Sequence, residues 1–268
     1  MKLDIYQVDA FTSEPFHGNP AAVVPLAEWL PDKSMQAVAL ENNLSETAFF
    51  VKSNGAYELR WFTPEAEVDL CGHATLASAH VIFNELKLES EKIRFHSPRS
   101  GELGVAKDGD KLVLDFPSYR VEEIDPIADI GEGETPLQFW RSSSNKLVML
   151  MPNQAAVVAF RPNLQRYMEL PFGSVIVTAK GDDCDFASRM FAPKFGIPED
   201  PVTGAMHCVL IPYWAGVLGK TKMFARQVSK RGGELFCELV GDRVKIGGNA
   251  VLYLKGEIYV GTERSVAA

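Results

Sequence analysis

The feature that most constrains what this chain can fold into is an internal echo. RWFTP, Arg60 to Pro64, returns as RMFAP, Arg189 to Pro193, 129 positions later. Each copy follows a strand-turn-strand pattern, FFVKSNGAYEL before the first and VIVTAKGDDCDFAS before the second. Each then runs through a short acidic connector to a glycine that opens a helix, in CGHATLASAH from Cys71 and TGAMHCVL from Thr203. Gly72 and Gly204 are 132 positions apart, so the spacing is kept to within three residues. A five-letter match alone is cheap. One that carries its hairpin and its glycine-helix step points to two similar halves. The break falls near Ser118 to Glu134, where Pro117, Pro126, Gly131 and Gly133 interrupt the strand pattern. The expected domains are therefore 1–118 and 119–268, with the last strand free to return to the first.

Strand and turn signals dominate both halves. Asn54-Gly55 and Asp108-Gly109 separate strand-like runs and tolerate the positive φ of tight hairpins; Gly241-Asp242 and Lys255-Gly256 read the same way. In KLVLDF, Leu112, Leu114 and Phe116 alternate with Val113 and Asp115, the period of a half-buried strand. Helical patterns cover Ser34 to Asn43, Ala74 to Leu86 and Ala205 to about Leu218. The second is apolar on nearly every side, which suits a helix surrounded by protein. The fold class is α+β, an antiparallel sheet wrapped around a central helix in each half.

Composition removes several function classes. With 27 Lys and Arg against 35 Asp and Glu, the net charge of the 268 residues is −8. No electrostatic attraction to nucleic acid or to an anionic membrane is expected. The N-terminus MKLDIYQVDAF carries Asp4 and Asp9 where a secretion signal needs an apolar core. Cys71, Cys184, Cys208 and Cys237 form no CxxC pair, a pattern of reduced thiols and a cytoplasmic location. His73 and His80 are seven residues apart, about 10 Å along a helix, too far to share a metal ion. Neither a phosphate loop nor a dinucleotide fingerprint follows a strand.

Two helices opening on glycine suggest a site. The first turn of a helix leaves backbone N–H groups free and carries partial positive charge, and glycine lets a ligand approach it closely. Two such ends across a cleft can hold a carboxylate without a basic side chain.

GNPAAVV (Gly18 to Val24), ENNLSETAFF (Glu41 to Phe50), RWFTPEAEVDLCGHATLASAH (Arg60 to His80) and FAPKFGIPEDPVTGAMH (Phe191 to His207) together resemble the PhzF-type family. This is the phenazine-biosynthesis isomerase family, related to diaminopimelate epimerase. The resemblance spans essentially the whole chain. It implies two pseudo-symmetric halves, each a sheet closed around a central helix, with the active site between them. It also implies a homodimer and an isomerase without metal or cofactor. Glu46 of the NLSET motif would be the general acid/base. Ser45, His73 and Asp200 would line the pocket, His73 and Asp200 sharing in the chemistry. Amides near Gly72-His73 and Gly204-Ala205 would hold the carboxylate of a small metabolite. Where many relatives read TGS, this chain reads Thr203-Gly204-Ala205 and lacks a hydroxyl.

The residues themselves fit these roles. A carboxyl that donates and then accepts a proton works best with a pKa near neutrality, and Glu46 stands beside the apolar run Ala48 to Val51, a dehydrating setting. Asp200 lies between Glu199 and Pro201, placed to orient His73 or a substrate group, with Glu199 facing solvent. Two other readings stay open. One is a two-cysteine epimerase or racemase using Cys71, for which the second half offers only Thr203 before its glycine. The other is a non-catalytic protein that binds a small ligand in the same cleft.

Overall fold

The computed structural model describes residues 1–88 and 90–261. Sixteen of its twenty strands form two series of eight that share one pairing plan. In the first, the order is Ala250–Tyr259, Lys2–Ala10, Asn19–Leu26, Glu46–Ser53, Ala56–Phe62, Lys92–Ser97, Gly101–Asp108 and Lys111–Pro117. In the second it is Val121–Ile124, Gln138–Ser142, Lys146–Leu150, Ser174–Lys180, Phe186–Ala192, Lys222–Gln227, Gly233–Val240 and Arg243–Gly248. Lys111–Pro117 pairs with Arg243–Gly248 and joins the two series. The C-terminal strand thus occupies, in the first series, the place that Val121–Ile124 holds in the second.

The α+β class holds, with more variety in strand direction than hairpin signals alone convey. Four pairings are parallel: Asn19–Leu26 with Glu46–Ser53, Ala56–Phe62 with Lys92–Ser97, Lys146–Leu150 with Ser174–Lys180, and Phe186–Ala192 with Lys222–Gln227. Between the members of each pair lies a helical crossover, which returns the chain in its original direction. The helices are Asp32–Asn42, Gly72–His80, the short pair Gln154–Ala159 and Leu164–Glu169, and Gly204–Leu218. The short pair escaped the sequence reading because six residues are too few to establish a period.

Gly72–His80, extended by a π-helical turn at Val81–Glu85, and Gly204–Leu218 are wrapped by the two series and share one apolar core with their inner faces. Every residue from Gly72 to Ala79 is buried. The other helices cover outer faces, Asp32–Asn42 over one cluster and the short pair over another. Pro212 sits inside Gly204–Leu218 without an N–H to give. The carbonyl four residues earlier, on Cys208, instead accepts the Tyr119 amide at 2.9 Å and so ties the link between halves to the second central helix.

Three turns behave as read: Asn54-Gly55 has φ of 47° and 75°, Gly109 has 62° between the paired Asp108 and Lys111, and Gly241 has 62°. Lys255-Gly256 does not form a turn. Both lie inside the continuous strand Ala250–Tyr259, paired with Tyr6 and Ile5. The Lys255 ammonium lies 5.3 Å from the centroid of the Tyr6 ring.

The echoed motif has a physical reason. On one face of its strand Arg60 stacks over Phe62 and makes a two-pronged bond with Glu67, at 2.7 and 2.8 Å. Arg189 stacks over Phe191 and grips Glu199 at 2.7 and 2.9 Å. Glu199 is therefore engaged as a clamp partner, a correction to its solvent-facing reading.

The central helices meet end to end. A Cβ built on Gly72 would lie 3.0 Å from the Gly204 Cα, and one built on Gly204 would lie 3.1 Å from the Gly72 Cα. What approaches each glycine so closely is the other helix. Gly72→Ala or Gly204→Ala should therefore cost about 1–3 kcal/mol, the usual penalty of overpacking. Urea unfolding of each variant measures it, and an unchanged midpoint would show that the helix ends separate without penalty.

Candidate active site

Where the two helices meet, a cleft of about 670 Å³ opens between the halves, and Glu46, Cys71, His73 and Asp200 line it together with Gly72, Gly204 and Ala205. Glu46 is the first residue of its strand and pairs with Ala21 across a parallel ladder, which sets its side chain at the sheet end nearest the helix start. His73 is the second residue of the first central helix. Asp200 closes the short strand Ile197–Asp200 just before the second. Neither residue preceding a glycine, Cys71 or Thr203, caps the first-turn amides with its side chain. The two helix starts singled out in the sequence are thus one paired structure, two uncapped helix ends in contact.

A buried polar network fixes the side chains. The Asn19 amide nitrogen, fully buried, donates to Asp200 Oδ1 at 2.7 Å and to the Val202 carbonyl at 2.8 Å, and lies 3.1 Å from His73 Nδ1. Thr203 Oγ1 donates to Asp200 Oδ2. Gln227 closes the loop: its Nε2 donates to the Asp200 carbonyl and its Oε1 accepts the Thr203 amide, each at 2.7 Å. His73 Nδ1 also lies 3.4 Å from Cys71 Sγ. His73 Nε2 comes within 3.2 Å of Glu46 Oε2, yet the pair is not aligned as a hydrogen bond. Both atoms are buried without a hydrogen-bond partner among the described residues, which is rare for buried polar atoms.

Burial sets the protonation states. Desolvation, with the Asp200 charge second, lifts the Glu46 carboxyl from 4.5 to about 8. Desolvation also lifts Asp200 from 3.8 to about 6, with its bonds from Thr203 and Asn19 pulling the other way. His73 drops from 6.5 to about 3 because burial disfavours the imidazolium. The Cys71 thiol is driven well above 9.0, first by burial and then by the Glu46 charge. At neutral pH the site therefore holds a protonated Glu46, a neutral His73 and an intact thiol.

Of the residues singled out in the sequence, Glu46, His73, Asp200, Gly72, Gly204 and Ala205 come together at this cleft. Ser45, half-buried and one residue before the strand, is not among the residues lining it. Asn19, Thr203 and Gln227 belong to the network without having been marked. Asn19 was in view within Gly18-Asn19-Pro20, but an asparagine beside a proline reads equally well as a turn residue. Glu46, Cys71 and His73 each offer a ligand atom, all within 4.8 Å of one another, and could hold a cation. It would have to displace two protons, from a carboxyl and a thiol that both resist ionisation.

Residues 8–256 match the family described as phenazine biosynthesis-like protein. A Pseudomonas aeruginosa protein named as an uncharacterized isomerase is 50% identical over 260 residues, covering 96% of this chain and 99% of its own. The crystal structure of a PhzF-family phenazine biosynthesis protein from Enterococcus faecalis superposes with a TM-score of 0.93 at 46% identity, covering 97% of this chain and all of that one. A hydroxyproline epimerase from Agrobacterium vitis shares the fold at 10% identity and a TM-score of 0.64, covering 96% of this chain and 92% of its own. With its fold, its two helix ends and its motifs in this arrangement, the chain belongs to the phenazine biosynthesis-like, or PhzF, family.

Proposed function

We propose that this protein is an isomerase that moves a proton between two carbons of a small carboxylate-bearing metabolite, with Glu46 as the single general acid/base. The observation that carries this reading is the state of Glu46: buried, raised to about 8, and holding a free oxygen beside the free Nε2 of His73. Such a carboxyl is mostly protonated at pH 7, yet close enough to its pKa to release its proton and take one back. Names of similar proteins support the reaction class, since that of the Pseudomonas aeruginosa relative includes isomerase.

The surrounding groups have distinct tasks. The amides opening the two central helices bind the substrate carboxylate, and their partial positive charge strengthens that contact. Neutral His73 offers Nε2 to a substrate oxygen or to the moving proton. Asp200 holds Asn19, which bears on the other ring nitrogen of His73, and so acts as a positioning residue. Ala205 contributes its backbone N–H where many relatives add a hydroxyl.

In the two-thiol reading, Cys71 and Thr203 would flank the reacting carbon. The Thr203 hydroxyl is committed to Asp200, and Cys71 resists ionisation. Cys71→Ala should accordingly keep turnover within a few-fold of wild type; its abolition would favour that alternative.

Solvent deuterium uptake tests the main reading. Wild type, incubated in D₂O with a panel of small cyclic and amino carboxylates, should incorporate deuterium into a substrate or isomerise it. Glu46→Gln should be slower by about 10²- to 10⁴-fold, the usual contribution of a general acid/base, while still binding. Full turnover in a folded Gln variant would sink the role of Glu46.

The same carboxyl should register in stability. Its pKa is near 4.5 unfolded and about 8 folded, so the folded state holds its proton while the unfolded state loses one. Folding is thus weakened as pH rises from about 4.5, and the penalty levels off above about 8. Glu46→Gln removes it. The melting temperature of the variant should exceed that of wild type by a margin that grows between pH 5 and 8; a margin independent of pH would show that the carboxyl ionises freely.

A further inference from the structure

The repeat identifies what stands across the cleft from Glu46. Arg60 and Arg189 are equivalent by the echoed motif, and their ladder partners are Phe49 and Val177. Three residues before each partner come Glu46 and Ser174, so the place of the carboxyl in the first half is taken by a hydroxyl in the second. The parallel neighbour of Glu46 is Ala21, whereas that of Ser174 is Lys146. Directly opposite partners in a ladder share a face of the sheet. Both Ser174 and Lys146 line the cleft. The second wall thus presents an ammonium and a hydroxyl at the level where the first presents its acid.

Lys146 lacks a counter-charge. It is half-buried, and among the described residues no carboxylate lies within 4 Å of its Nζ, whose contacts are the Ser144 hydroxyl at 3.2 Å and the Ser144 carbonyl at 3.4 Å. Both are long, and an ammonium has three protons to donate. The other cleft cations are occupied otherwise: Arg99 pairs with Asp69 at 3.0 Å and Glu67 at 3.1 Å, and Lys194 donates to the Leu170 carbonyl. The Cys208 thiol, which lies near enough to Lys146 to act on it, has its pKa raised by burial and remains uncharged. A partly desolvated ammonium without an anion is costly unless a ligand supplies one.

We propose that Lys146, with Ser174 beside it, binds a second anionic group of the substrate, so that the cleft selects small dicarboxylates over monocarboxylates. This rests on the reading above in which the helix ends hold the first carboxylate and Glu46 moves the proton. Lys146 is then a specificity-determining residue, placed across the cleft from the reacting group.

Calorimetric titration with two matched pairs of probes, benzoate with isophthalate and butyrate with glutarate, reads this directly. Wild type should bind the dicarboxylate of at least one pair tenfold or more tightly than its monocarboxylate partner. Lys146→Met should bring that ratio below threefold while leaving monocarboxylate affinity within twofold, which also shows that the variant is folded. Lys146→Arg, which keeps the charge, should retain a preference. Equal affinities in wild type, no binding of either dicarboxylate, or an unchanged ratio in Lys146→Met would overturn the proposal. Glu46→Gln separates the two readings. It should keep the dicarboxylate preference while losing turnover; turnover retained in Glu46→Gln with the preference still lost in Lys146→Met would remove the acid/base role and leave this one standing.

Discussion

The structure depends on two helix N-termini pressed together at Gly72 and Gly204. Each end carries partial positive charge and amides that its preceding side chain leaves uncapped, so like charges face each other at close range. The contact exists because the backbones have no Cβ between them and because each helix is held from behind by its own wrapped sheet. An anion placed between the two ends relieves both the repulsion and the unmet donors. The affinity for a carboxylate proposed for this cleft therefore arises from how the halves are assembled, ahead of any side chain.

The side chains then refine that site through a network whose members are all within the core. Asp200 has its two carboxylate oxygens taken by Asn19 and Thr203, and Gln227 locks the turn that carries them. Glu46, by contrast, has an oxygen left over. Two buried carboxyls a short distance apart thus differ in environment. Asp200, better satisfied by hydrogen bonds, rises only to about 6, while Glu46 rises to about 8. In the proposed reaction that difference separates a group that holds its neighbours from one that exchanges a proton.

Much of this was legible in the residues. The echo of Arg60–Phe62 in Arg189–Phe191 reads through because a stacked arginine clamped by a glutamate needs the same letters in both halves. The first central helix was visible because it is apolar on nearly every side, and Glu46, His73 and Asp200 because their motifs are distinctive. Long-range partners were not. Asn19 meets Asp200 across 181 residues, and nothing local to a Gly-Asn-Pro triplet reports a buried amide. Lys255-Gly256 looked like a turn because glycine breaks strands on average, but pairing along Lys2–Ala10 outweighs that preference.

The duplicated frame also limits the chemistry. Equivalent positions across the cleft hold Glu46 and Ser174, and next to the paired glycines stand Cys71 and Thr203. A frame with near two-fold symmetry could have carried matching acid/base groups on both walls and inverted a carbon by removing a proton from one face and returning it to the other. Here the second wall has hydroxyls at those positions, which do not ionise near neutral pH, and Asp200 beside them has both oxygens bonded to Asn19 and Thr203. A single carboxyl on one wall reaches only one face of a bound substrate. In the proposed reaction the proton therefore leaves and returns on the same face, migrating between carbons without inverting either. In that reading the symmetry of the fold positions the substrate, and its loss at Glu46 and Ser174 favours isomerisation over racemisation.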